Sequence, residues 1–175
     1  MSRAPMPAAD CWLHAAVEVG VSSIAGEGLF ARTALPAGTV VSRLGGRLVS
    51  GAELRELFTQ AALRHRYVDT VGVGEDLHLV LPPRRRNGYG NHSCDPNLWW
   101  LDAYTLAARR DIAVGEEITN DYGTSTAVAD FRMDCGCGSA LCRGAVTGTD
   151  WQRPELRERY GDHWIPLLLD RIRAG

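Results

Sequence analysis

"NHSCDPN", residues 91–97, decides how the rest of this chain is read. An amide, an imidazole, a hydroxyl and a thiol follow one another in the chain. They precede the turn-former Asp95-Pro96-Asn97, and Trp99-Trp100 comes just after. Alone, the stretch fits a surface turn, a metal site, a Cys/His nucleophilic pair or a cofactor cradle. Its partners elsewhere in the sequence have to choose among these.

The other cysteines supply the first partner. Cys135, Cys137 and Cys142 lie within "CGCGSALC", a glycine-rich stretch flexible enough to wrap an ion. Three clustered thiolates suit a tetrahedral zinc, and a structural zinc takes a fourth ligand. Cys94, on a stiff turn ahead of Pro96, is a better fourth than Cys11 in the N-terminal stretch. The expectation is therefore a four-cysteine zinc site of Cys94, Cys135, Cys137 and Cys142. A redox Cys-x-Cys or a set of buried free thiols fits less well, because a glycine-rich loop offers little core. A His92–Cys94 nucleophilic pair is weaker still, since close neighbours on one turn seldom align for proton transfer and metal ligation would occupy the thiolate.

Composition bounds the remaining possibilities. At 175 residues the chain suits one domain with a small appendage, and a net charge of −2 does not favour a nucleic-acid partner. No apolar run approaches the roughly 20 residues of a membrane span, and the first residues carry no signal-peptide core. A cytoplasmic setting follows as the default, with reduced thiols; an odd count of five cysteines agrees. All nineteen basic residues are arginine, so nothing in this chain can be modified at a lysine side chain.

Periodicity predicts a mostly β chain with minor α content. Strands are expected near Val17–Val19 and Leu29–Ala31. Hairpins are expected over "LPAGTVVSRLGGRLVS" (35–50), between 71–73 and 77–81, and between 97–101 and 104–108. "AELRELFTQAALRHRYV" (52–68) is the clearest helix, with Leu54, Leu57, Phe58 and Ala61 on one face. Residues 1–12 read as a loose leader and 135–148 as irregular. Arg84-Arg85-Arg86 reads as a solvated loop. A C-terminal helix starts at Pro154, breaks near Gly161 and resumes after Pro166. Trp99 and Trp100 alternate, one toward the core and one toward a groove; packing is the preferred role for both, as it is for His163 and Trp164. "ARTALPAGTVV" (31–41) faintly echoes "ARRDIAVGEEI" (108–118), and the simpler explanation is two similar entries into strands.

Two more pieces complete the pattern. "AGEGLFA" (25–31) sets Gly26 and Gly28 before an apolar strand, where backbone can approach a ligand closely. It lacks the third glycine and following helix of a dinucleotide fingerprint. "VGEEITNDYG" (114–123) ends a short strand on Asp121-Tyr122-Gly123. Each alone is weak. In this order and spacing, "GEGLFA", "NHSCDPN", "GEEITNDYG" and "CGCGSALC" together resemble the SET-domain protein lysine methyltransferases, with a post-SET zinc element at the end. The match runs from about residue 13 to 146 in a minimal form, without a cysteine-rich region ahead of it.

The resemblance implies a SET fold of small β-sheets around a pseudoknot. It implies a SET domain over 13–126, a post-SET zinc segment over 127–148 and a helical tail over 149–175. It further implies S-adenosylmethionine bound by Gly26, Glu27, Gly28, Leu29, Asn91 and His92, structural Zn2+ on the four cysteines, and Tyr122 as the active-site tyrosine that also borders the cofactor. The implied activity is methyl transfer to a lysine side chain of a protein. The alternative is a non-catalytic, zinc-stabilised peptide-binding module that keeps the fold. Two positions depart from the family: Asn120 stands where many members have Phe or Tyr, and Gly88-Tyr89 where Arg-Phe is common.

Overall fold

The computed structural model describes residues 6–83 and 85–175. Among them, short strands form four small sheets. The first contains β1 (Trp12–Leu13), β4 (Val40–Arg43), β10 (Thr105–Ala108) and β9 (Leu98–Trp100) in the order β1-β4-β10-β9. The second contains β2 (Val17–Val21), β3 (Glu27–Ala31), β11 (Glu117–Asn120) and β8 (Asn91–His92) in the order β2-β3-β11-β8. The third is β5 (Arg47–Val49), β7 (Leu77–Val80) and β6 (Thr70–Gly74), with β7 central. The fourth pairs β12 (Arg132–Asp134) with β13 (Ala145–Thr147).

The second sheet holds the key crossing. β11 is antiparallel to β3 but parallel to β8, with Thr119 opposite Asn91 and Asn120 opposite His92. Parallel neighbours cannot be joined by a tight turn, so the chain leaves β8, builds β9 and β10, and returns as β11 beside it. Asn97 fastens the crossing from within. Its Nδ2 donates to Glu116 Oε1 and the Glu117 carbonyl, and its Oδ1 accepts from Thr119 N. This is the expected pseudoknot.

The core draws on the first three sheets and the tail: Val17, Leu29, Val41, Leu79, Trp100, Ile118 and the tail residues Tyr160, Trp164 and Leu168. The helix α1 (Gly51–Leu63) begins at a capping box, with Ser50 accepting from Glu53 N and the Glu53 carboxylate accepting from Ser50 N. Of its expected apolar face Leu54 is buried, while Phe58 is 45% exposed. The helices α2 (Pro154–Tyr160) and α3 (Pro166–Ala174) carry the expected N-terminal prolines and the break at Gly161.

Several expectations need correction. Residues 35–50 do not form a hairpin: β4 pairs with β1 and β10, and β5 with β7. Gly45-Gly46 passes the chain between sheets instead of reversing it. A Cβ on Gly45 would lie 2.1 Å from the Asp10 carbonyl, and Gly46 sits at φ 140. Residues 8–12 are not loose: the Ala8 carbonyl accepts from Gly46 N, Cys11 Sγ accepts from Gly45 N, and Trp12 enters β1. The 135–148 segment is not wholly irregular, because β13 pairs with β12. Arg85 pairs with Asp69, and Arg86 donates to the Val17 carbonyl, so neither is simply solvated; Arg84 lies outside the described residues. The hairpins β6–β7 and β9–β10 form as predicted.

The echo is more than two similar strand entries. Leu35 and Ile112 exchange both backbone hydrogen bonds. Gly38 N donates to the Ala108 carbonyl and Gly115 N to that of Ala31; Ala31 N donates to Glu116 and Ala108 N to Thr39. The two stretches pair with each other about a local twofold, and Gly38 and Gly115 hold matching positive φ of 83 and 77.

Candidate active site and metal centre

Tyr122 follows β11 in a single turn of 3-10 helix, Tyr122–Thr124, capped by Asp121 accepting from Gly123 N. Its hydroxyl donates to the Gly90 carbonyl at 2.8 Å. Burial, with a smaller push from the Tyr67 phenol, raises Tyr122 above the ordinary phenol range, so it stays a donor. It borders a cavity of about 420 Å3 whose lining includes Gly90, Trp100, Asn120, Leu106, Val71 and Phe131. Asn120, one of the departures, therefore sits in the wall beside Tyr122. Gly88-Tyr89 forms part of another 3-10 turn, Arg86–Tyr89, and Gly88 also lines the cavity.

Trp100 is buried and reaches the cavity wall, while its neighbour Trp99 is half-buried. Trp99 stacks on His163 with ring centroids 3.4 Å apart, and the His163 ring meets the Trp100 carbonyl at 2.8 Å. Trp99 and His163 therefore take the packing role expected of them, and Trp100 is the tryptophan that reaches the cavity.

The glycine loop is tied to β8. Asn91 Nδ2 donates to the carbonyls of Ala25 and Glu27 and to Glu117 Oε1. Ser22 Oγ donates to the same Glu117 oxygen at 2.7 Å. Gly28 is packed against that carboxylate, since a Cβ would meet Oε1 at 2.3 Å. Gly26, at φ 50, faces open space, and Glu27 is exposed. The Leu29 side chain is core and leaves only main chain to offer a ligand. None of Gly26, Glu27 and Gly28 lines the Tyr122 cavity.

His92 turns its ring inward. Nδ1 accepts from Tyr122 N at 3.2 Å, so the proton of the neutral ring lies on Nε2, 3.4 Å from Cys94 Sγ. Burial lowers its basicity despite Asp121 nearby. The 3.5 Å approach of Nδ1 to Asp121 is therefore a contact and not an ion pair.

The four expected cysteines converge. Their sulfurs lie within 4.8 Å of one another, with 3.8 Å between Cys94 and Cys135 and again between Cys135 and Cys142. A tetrahedral Zn–S distance of about 2.3 Å requires sulfur–sulfur edges of about 3.8 Å. Backbone N–H groups already point at the sulfurs: Cys94 N toward Cys137, and Arg143 N toward Cys94. As free thiols the set is uneven. Burial pushes Cys135 up to about 12, whereas Cys137, although burial opposes it, is held at about 6 by donation from Cys94 and Ser139. A bound dication removes that inequality by favouring every thiolate. Donor set, spacing and N–H environment fit zinc.

Sequence reasoning missed the charged node beneath Tyr122. Arg143 grips Asp121 with two hydrogen bonds of 2.8 Å and Asp150 with one of 3.0 Å. Tyr160 Oη donates to Asp121 Oδ2, and all of these groups are buried. Burial opposes the Arg143 charge, but the hydrogen bonds and charge of Asp121 outweigh it and raise its pKa. Arg159 adds a hydrogen bond to the Cys94 carbonyl. The one available signal was position: Asp121 and Arg143 adjoin Tyr122 and Cys142.

A parallel crossing that presents a tyrosine to a cavity, with a cage of four thiols joined to the same crossing through Cys94, is the arrangement of the β-rich, knotted class of methyltransferase folds. The chain belongs to the SET-domain family, whose pattern matches residues 26–123. It is 30% identical over 151 residues to histone-lysine N-methyltransferase ATX2 of Arabidopsis thaliana, covering 75% of this chain and 13% of that protein. It is 31% identical over 143 residues to histone-lysine N-methyltransferase 2B of Homo sapiens, covering 73% and 5%. The chain thus spans a small part of these curated relatives. The crystal structure of the methyltransferase domain of human SETMAR matches with a TM-score of 0.57 at 21% identity, over 77% of this chain and 58% of that one. That likeness establishes the fold. No helix among the described residues is long and apolar enough to cross a membrane.

Proposed function

We propose that this chain transfers a methyl group from S-adenosylmethionine to the side-chain amine of a lysine in a protein. The supporting observation is the Tyr122 hydroxyl, held on the Gly90 carbonyl at the wall of a cavity lined by apolar and polar side chains in similar measure. S-adenosylmethionine, when bound, supplies a methyl carbon made electrophilic by its sulfonium. The main chain of Gly26, Glu27, Gly28 and Leu29, with Asn91 and His92, would hold it.

Lysine in water has a pKa near ~10.4 and is an ammonium at neutral pH, which has no lone pair with which to attack. Val71, Leu81, Trp100, Leu106 and Phe131 desolvate a side chain entering the cavity and favour its neutral form. Tyr122 and the Gly90 carbonyl then orient the amine, so that much of the rate comes from positioning. Cys94, Cys135, Cys137 and Cys142 would hold a zinc whose role would be structural, because four thiolates leave no open coordination position. The substrate is another protein, since the chain has no lysine of its own.

The test is transfer of labelled methyl from S-adenosylmethionine to a protein mixture, with sites located by mass spectrometry. Tyr122→Phe should lower turnover by at least ~10²-fold while cofactor binding persists. Tight cofactor binding with no transfer to any protein would instead favour the peptide-binding alternative.

A further inference from the structure

Two bridges, both starting at Cys94 Sγ, join the thiol cage to the residue pair Asp121-Tyr122. The first is the His92 ring, which spans Cys94 Sγ at 3.4 Å and Tyr122 N at 3.2 Å. The second runs through Arg143, the residue after Cys142. Its backbone N–H meets Cys94 Sγ at 3.3 Å, and its guanidinium clamps Asp121. The Asp121 carboxylate in turn accepts from Gly123 N and caps the turn that carries Tyr122. Both bridges are buried, so water does not readily replace either.

We propose that His92 and Arg143 are positioning residues that make the placement of Tyr122 depend on metal occupancy of the four-cysteine site. The proposal rests on the functional reading of Tyr122 given above, but it concerns only the link between the cage and that turn. A thiolate held by zinc fixes Cys94 Sγ as an acceptor for His92 Nε2–H and Arg143 N–H. The ring is then fixed with Nδ1 toward Tyr122 N. Losing the ion frees residues 135–143, of which Arg143 packs against this turn, and both bridges lose their anchor. Coupling of this kind is reciprocal: whatever the metal does for the Tyr122 turn, the turn does for metal affinity. Groups that hydrogen-bond metal ligands commonly change affinity 10- to 100-fold when removed, about the size expected here.

The experiment is residue-resolved amide hydrogen exchange on the full, zinc-loaded chain, before and after a chelator, alongside a chelator-competition measurement of zinc affinity. In the wild type, removing zinc should speed exchange at Tyr122 and Gly123 at least ~10-fold while Val19 and Leu29 in the β2–β3 hairpin stay protected. His92→Phe should bind zinc ~10- to 100-fold more weakly and exchange Tyr122 rapidly even when loaded. His92→Gln, whose amide can donate to sulfur and accept from Tyr122 N, should restore much of both. Unchanged Tyr122 and Gly123 exchange on chelation overturns the proposal, as does chain-wide loss of protection, which would make zinc only a folding requirement. Wild-type zinc affinity in a folded His92→Phe also overturns it. None of these readouts uses turnover, so a chain that binds zinc as described yet methylates nothing would sink the functional proposal and leave the coupling standing.

Discussion

Arg143→Met tests the energetics of the buried node directly. The methionine fills similar volume but removes three hydrogen bonds, two to Asp121 and one to Asp150. It leaves two carboxylates whose side chains are 0% and 3% exposed without their cation. Breaking a buried pair by deleting one partner costs ~3–5 kcal/mol. A chain of 175 residues has an unfolding entropy of about 0.37 kcal/mol/K, so that loss lowers the melting midpoint by about 8–14 °C. The assay is differential scanning calorimetry of wild type and variant, both zinc-loaded, at one neutral pH. Adding Asp121→Asn should recover at least ~1 kcal/mol, because one stranded charge is removed although its hydrogen bonds remain imperfect. A midpoint within ~3 °C of wild type would refute the reasoning, since it would mean that the node is hydrated in solution.

Three further outcomes follow from other contacts. Asn97→Ala strands Thr119 N and the Glu117 carbonyl inside the pseudoknot and should cost ~2–4 kcal/mol by urea unfolding with an unchanged slope. Gly28→Ala drives a methyl into Glu117 Oε1 and so disturbs the contacts of Ser22 and Asn91 with that oxygen; calorimetric titration should show cofactor binding at least ~10-fold weaker with a smaller change in stability. Arg171→Ala removes an ion pair with the largely exposed Glu75, and should shift stability by no more than ~1 kcal/mol.

What the sequence made legible follows from how local the signal is. The four cysteines were readable because three thiols at short spacing are a local signature of a zinc cage, and only one donor was missing from the C-terminal cluster. The hairpins at 70–80 and 98–108 were readable from alternation around a turn. The 35–50 hairpin was misread because strand, Gly-Gly, strand is the pattern of both a reversal and a step between sheets. The partners of β4 and β5, which lie far away in sequence, decide between the two. Arg143, Asp150 and Tyr160 carry no local pattern either. They become a node only when the post-SET segment and tail close over Asp121. The positions around Gly26–Leu29 were assigned by family resemblance alone; what the fold adds is that this loop is tied to Asn91, which is tied in turn to Glu117.

The paired echo at 31–41 and 108–118 has a consequence for how the chain holds together. Each glycine turn donates to the other stretch's alanine, and each alanine amide is satisfied across the same axis. This is the logic of an isologous interface, where one patch meets its own likeness, here contained in a single polypeptide. Neither half can complete its hydrogen bonding alone. The junction therefore acts as an internal dimer seam that brings the loop near Gly26, at one end, and the Asn120-Tyr122 strand end, at the other, into one body.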